Sequence, residues 1–327
     1  MTSAISSASM MARVTEFLRS YGAIIGMILV LALFYLLKPA FLSPANVANV
    51  FRQSTVLIIL ALGLTVVMTM RGVDLSIAQV ADAAGLIAAL LIINKYPVWA
   101  AYLIPIAFGL AIGLVNAILM AYIGVPAIIG TLGMMFVIRS GELLMTNGAE
   151  PQMLFTLPRS LTKPFLFLGQ GQIGPVATVI VLAAIIFAFV FVLMHHTPFA
   201  RRARAVGLNV RAAFLAGVDI RLVFGAGFVI AGVLAAMAGV ALVSRTGIAM
   251  PRGAEPYLLD AFAAAYLGTL ASRRGEMSIF GTLIGALFIA FLSNGLTLLG
   301  LGAPYRFALN GIFILLAMAV GALRRKS

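Results

Sequence analysis

A chain of 327 residues that is 63% hydrophobic and only 9% charged, with a mean hydropathy of +1.15, cannot cover a water-soluble globule with polar groups. Its formal net charge of +13 comes from basic residues scattered between apolar runs, which suits topology signalling and contact with anionic lipid headgroups and argues against nucleic-acid binding. The absence of cysteine excludes disulfides, zinc–thiolate sites and thiol nucleophiles.

Residues 1–20 are polar and Ser-rich, lack a small-residue cleavage site after a short apolar core, and are expected to form a cytoplasmic tail. A spanning helix needs about 20 mostly apolar residues. By that measure the predicted spans are 21–38, 53–70, 75–93, 98–122, 126–145, 174–194, 222–246, 257–271, 277–300 and 303–322. The fold class expected is therefore all-α and polytopic, a single membrane unit over 21–322 that crosses the bilayer about ten times. Residues 323–327 form a second short cytoplasmic tail.

Orientation follows from Lys and Arg. With the N-terminus inside, the dense clusters Arg201–Arg202–Arg204, Arg211–Arg221, Arg273–Arg274 and Arg324–Arg325–Lys326 all fall inside. The outer set (Lys38, Arg52, Lys95, Arg159, Lys163, Arg245, Arg252, Arg306) is sparser. An even number of spans puts both termini in the cytoplasm. Gly109–Gly113 and Gly281–Gly285 have the four-residue spacing that lets helix backbones approach closely in lipid.

A shift of 178 positions aligns Asp82 with Asp260, Asn116 with Asn294, Gly124 with Gly302, Pro126 with Pro304 and Gly133 with Gly311. The partners lie five spans apart, so the two copies would face opposite ways, as in an inverted-topology repeat.

Ionisable residues inside the bilayer are expected to face the bundle interior. Asp74, in GVDLS (72–76), reads as the N-cap of the third span or as a direct pathway residue. Asp82, with Gln79 on its face three residues earlier, reads as an interhelix hydrogen bond or a pathway group. Asp260 lies about one turn into the eighth span, while Asn116 and Asn294 read as helix glue or cargo contacts. Arg139 and Glu142, at i and i+3, are expected to neutralise each other.

Motifs for chemistry fail on context. Gly169, Gly171 and Gly174 spell G-x-G-x-x-G without a strand–turn–helix, and no P-loop is present. His195 and His196 are adjacent and have no zinc-type spacing. The expectation is no catalytic residue, no metal site and no cofactor on this chain.

The longest charged stretch, 195–221, is predicted to be cytoplasmic, either as a lipid-surface segment or as a docking helix for a soluble partner. With the blocks GVDLS (72–76), GVPAIIGTLGMMFVIRSG (124–141), TPFARRARAVGLNVRAAFLAGVDI (197–220), YLLDAFAAAYLG (257–268), GTLIGAL (281–287) and SNGLTLLG (293–300), the chain resembles the permease subunits of bacterial ABC-type sugar importers, in the ribose/xylose/arabinose/galactose branch. The resemblance implies a monosaccharide importer subunit, not an enzyme, in the bacterial inner membrane. It implies a second permease subunit, identical or not, a cytoplasmic ATPase that uses ATP and Mg, a periplasmic sugar-binding protein, and no nucleic acid. The ATPase would dock on a coupling loop that includes Arg211, Ala212, Ala213, Gly217 and Asp219. Within it, Ala212, Ala213 and Gly217 fit the AA-x-x-x-G core, while Arg211 stands where many importers carry Glu. Gln79 and Asp82 depart from the family run after DLS. Alternatives are other cargo (a branched-chain amino acid, a nucleoside, a furanose-like signal molecule) or an ion-coupled transporter using Asp82 and Asp260.

Overall fold

The computed structural model describes residues 25–270 and 276–326, so the expected tail 1–20 and Arg273–Arg274 lie outside the described residues. Its helices are α1 (Ile25–Leu37), α2 (Pro44–Thr69), α3 (Ile77–Ile93), α4 (Val98–Ala117, prolonged by a π-helical turn Ile118–Ile123), α5 (Ala127–Met145), α6 (Arg159–Gln170), α7 (Thr178–His196), α8 (Pro198–Leu208), α9 (Val210–Leu215), α10 (Ile220–Thr246), α11 (Glu255–Leu270), α12 (Ile279–Leu298) and α13 (Ala303–Lys326). Six of them, α2, α4, α5, α7, α10 and α12, are long and apolar enough to cross a membrane, and α1, α3 and part of α13 are shorter apolar helices. Each predicted span thus falls on a helix.

Local chemistry sets the boundaries. Ser43 accepts from the Asn46 amide at 3.4 Å and Pro44 occupies the first turn, so α2 begins nine positions before the predicted 53. Arg52, expected in an outer loop, therefore lies within a helix. The turn after the π-helical segment needs Gly124, whose φ is +90°.

Helices α2 and α10 form the centre and run antiparallel. Gly63 lies against Ala231 and Leu234, and the end of the Met70 side chain lies against Gly227. Of the α2 segment, 83% is buried, against 22% for α5, so α2 is core while α5 presents Ile128, Ile129, Phe136 and Val137 outward. An apolar outer face with all backbone groups paired inside helices is what lipid requires.

The predicted glycine pairs are close-approach points. A Cβ on Gly109 would overlap the Gly232 carbonyl of α10, and one on Gly281 or Gly285 would overlap the Gly268 or Ala264 carbonyl of α11. Packing also recurs at the 178-residue offset. Shifted by 178, α3 would cover 255–271 (observed Glu255–Leu270) and α4 276–295 (observed Ile279–Leu298). Helix α4 packs on α10 as α12 packs on α2, and α5 meets α3 as α13 meets α11.

Two regions were not foreseen. Helix α6 is amphipathic and lies against α10: Gly169 N–H donates to Ser244 Oγ (2.8 Å), and Ser244 Oγ donates to the Phe165 carbonyl (2.7 Å). A Cβ on Gly169 would overlap the Ser244–Arg245 backbone, so packing explains this glycine of the G-x-G-x-x-G run. Short strands β1 (Gln152–Met153) and β4 (Ile248–Ala249) pair antiparallel beside it, and β2 (Gln172–Ile173) pairs with β3 (Val176–Ala177).

Candidate functional site

The α8–α9 pair lies at the end of the bundle where α2 finishes and α10 begins. Thr197 caps α8 and Asn209 caps α9, accepting from Ala200 and Ala212 amides at 3.4 and 3.0 Å. Gly217, at φ +80°, turns the chain from α9 toward α10, whose N-cap is Asp219, accepting from Leu222 N–H at 3.0 Å. Of the coupling-loop residues named from sequence, Ala213 is buried, while Arg211, Ala212, Gly217 and Asp219 are exposed. Residues 195–196 belong to α7 and 220–221 to α10, which trims the loop to 197–219. Sequence reasoning gave no role to Phe214 and Leu215, which are 68% and 78% exposed on α9.

This platform is wired to the core. Met70, Ala203, Val206, Ala213 and Val223 form one apolar cluster. Arg71 donates to the Leu208 carbonyl, and Gly207 sits so close to Thr69 that a Cβ would overlap its carbonyl oxygen.

The next link is the GVDLS turn. Asp74 does not cap α3; that position is Ser76. Asp74 Oδ1 instead accepts from Ser76 N–H (2.9 Å) and Ser76 Oγ (2.6 Å), and Ser76 Oγ accepts from Asn116 Nδ2 (3.0 Å). Thr131 Oγ1 of α5 accepts from Leu75 N–H at 3.0 Å. Asp74 and Asn116 therefore brace the joint between α3, α4 and α5.

Asn294 forms a reciprocal amide pair with Asn46, with Nδ2–Oδ1 distances of 2.8 and 3.0 Å, and so joins α12 to α2. Asp260 accepts from Asn310 Nδ2 at 2.5 Å, joining α11 to α13. Asn46 and Asn310 had no local signal, because their partners are distant in sequence.

Asp82, Gln79 and Glu142 converge near the opposite end of α10. Asp82 Oδ1 accepts from Ala254 N–H at 2.5 Å, while its Oδ2 has no partner among the described residues. The Gln79 amide faces the Glu142 carboxylate, which also lies in the field of Asp82. Among the described residues neither Glu142 oxygen nor Gln79 Nε2 reaches good hydrogen-bond geometry. Glu142 lies in the field of Arg139, as the i,i+3 spacing predicts, but it turns inward toward α3 and makes no close ion pair with it; among the described residues the salt bridge found is Arg252–Glu255. A cavity of about 280 Å³ at the α12–α13 turn, lined in part by Ser293, Thr297 and Arg306, lies apart from the cluster.

A helical membrane bundle fits a permease component, and comparison with known proteins agrees. The family described as branched-chain amino acid transport system / permease component matches residues 46–318. The ribose import permease of Escherichia coli K12 is 34% identical over 91% of this chain and 92% of that protein. The ribose import permease of Bacillus subtilis 168 is 33% identical, covering 95% and 94%. The galactose/methyl galactoside import permease of Salmonella typhimurium LT2 is 30% identical, covering 94% and 95%. No solved structure matches. The chain belongs to the branched-chain amino acid transport system / permease component family.

Proposed function

We propose that this chain is the permease subunit of an ATP-binding-cassette importer that carries a pentose- or hexose-type monosaccharide across the inner membrane. The cargo class rests on the ribose and galactose import permeases to which the chain is similar over most of its length. Both termini are cytoplasmic, and the 178-residue recurrence of boundaries and contacts supports an inverted repeat built around α2 and α10.

The observation that carries the reading is the α8–α9 platform, with Phe214 and Leu215 exposed on one side and the ends of α2 and α10 held on the other. A cytoplasmic ATPase docked on α9, next to Arg211 and Ala212, would move α8 and α9 together, and their packing on Met70 and Val223 would pass that motion to the central helices. ATP and Mg belong to that partner, and this chain supplies the path. A conformational equilibrium then shifts because ATP-bound and ATP-free partners favour different states of the bundle. A second permease subunit completes the path, lipid covers the outer helices, and a periplasmic binding protein delivers cargo at the end opposite α9.

The test is co-purification. The double variant Phe214→Glu/Leu215→Glu should lose the ATPase while keeping wild-type helicity and melting behaviour. Stoichiometric retention of the ATPase by that variant contradicts the docking role.

A further inference from the structure

We infer that Gln79, Asp82 and Glu142 form a cargo-contact site for a neutral, polyhydroxylated ligand, whose hydroxyl groups donate to the free carboxylate oxygens. This rests on the importer reading above and deepens it.

Three elements build the cluster. Gln79 and Asp82 lie on one face of α3, Glu142 comes from α5, and the segment leading into α11 supplies the Ala254 amide that holds Asp82 Oδ1. The three side chains are 2%, 7% and 0% exposed. Buried polar groups are normally hydrogen-bonded, and each exception calls for an explanation. Among the described residues Asp82 Oδ2 and both Glu142 oxygens lack a hydrogen bond of good geometry, and the Gln79 amide nitrogen, which faces Glu142, also falls short of one.

Free valences identify the ligand chemistry. A carboxyl group accepts and, when it carries its proton, also donates, while the amide nitrogen donates, so the site suits a ligand with both donors and acceptors. A polyol offers both from each hydroxyl. Arg252 is already paired with Glu255 and Arg139 lies in the field of Glu142, so the surrounding charges largely offset one another, which suits a neutral ligand. The Arg252–Glu255 pair is exposed, with side chains 55% and 39% accessible, and it flanks Ala254, whose amide holds Asp82. This rim is the end of the bundle away from α8 and α9, where cargo would enter an importer.

The experiment uses the full importer, chain plus ATPase plus binding protein, in proteoliposomes, with tritiated pentoses, hexoses and acyclic polyols as probes. Glu142→Leu and Gln79→Leu should each raise the uptake KM by about tenfold, the fold-change expected for one lost hydrogen bond in a desolvated site, and change the ranking of the sugars. Glu142→Gln, which keeps shape and one acceptor, decides the matter if the leucine variant does not assemble, and should raise KM by about threefold. An unchanged KM and ranking overturns the inference, as does a fall in kcat alone that tracks a fall in melting temperature. A wild-type importer that carries none of these probes fails the sugar-importer reading itself, a result visible before any variant is measured.

Discussion

Gly113→Ala tests the α4–α10 contact, because a single methyl group there has a calculable consequence. A Cβ on Gly113 would lie 2.8 Å from the Phe228 carbonyl oxygen and 2.8 Å from Val229 Cα, both backbone atoms. Ordinary contact begins at 3.4 Å, so the helices must part by 3.4 − 2.8, or about 0.6 Å. A gap of that size forfeits roughly a quarter to a half of each opposing dispersion well, and forced separation in a packed interior costs about 1–3 kcal/mol. Replacing glycine within a helix returns about 1 kcal/mol, which leaves a net destabilisation of about 1 kcal/mol. At Gly133 on α5 nothing lies within 4 Å of the added Cβ, so only the gain of about 0.5–1 kcal/mol remains. The two variants should therefore shift in opposite directions in unfolding followed by circular dichroism in detergent. A Gly113→Ala protein as stable as Gly133→Ala refutes the close packing of α4 on α10.

Two further outcomes follow from named contacts. Asn46→Ala and Asn294→Ala should show a coupling energy of about 0.6–2 kcal/mol in a double-mutant cycle, since each amide is the other's partner; additive effects contradict the pair. Gly207→Ala should push α8 off the end of α2 at Thr69, so the assembled importer should hydrolyse ATP while moving less sugar per ATP, measured as the ratio of uptake to phosphate release.

Much of this architecture was legible in the chain because lipid demands long apolar runs. Helices α4, α5, α10 and α12 fall within a few residues of the expected spans. The start of α2 was hidden because Asn46, Asn49, Arg52 and Gln53 make its first turns polar, although Ser43 and Pro44 were readable as a start signal. Helix α6 escaped because Lys163 and Pro164 interrupt a short amphipathic run whose partner is α10. In the candidate site, the shared face of Gln79 and Asp82 was visible from helical spacing. The i,i+3 spacing shows that Arg139 lies within electrostatic reach of Glu142, not which way the carboxylate turns. The Asn46–Asn294 and Asp260–Asn310 bonds are set by tertiary packing across distant segments, and no local pattern encodes them.

Uptake in proteoliposomes bears most directly on the importer account. The purified chain is reconstituted alone, with an imposed proton or sodium gradient, and again with its ATPase and binding protein plus ATP and Mg. The account predicts accumulation of labelled monosaccharide only in the complete system, abolished when ATP is replaced by a non-hydrolysable analogue. Robust gradient-driven uptake by the chain alone would contradict it.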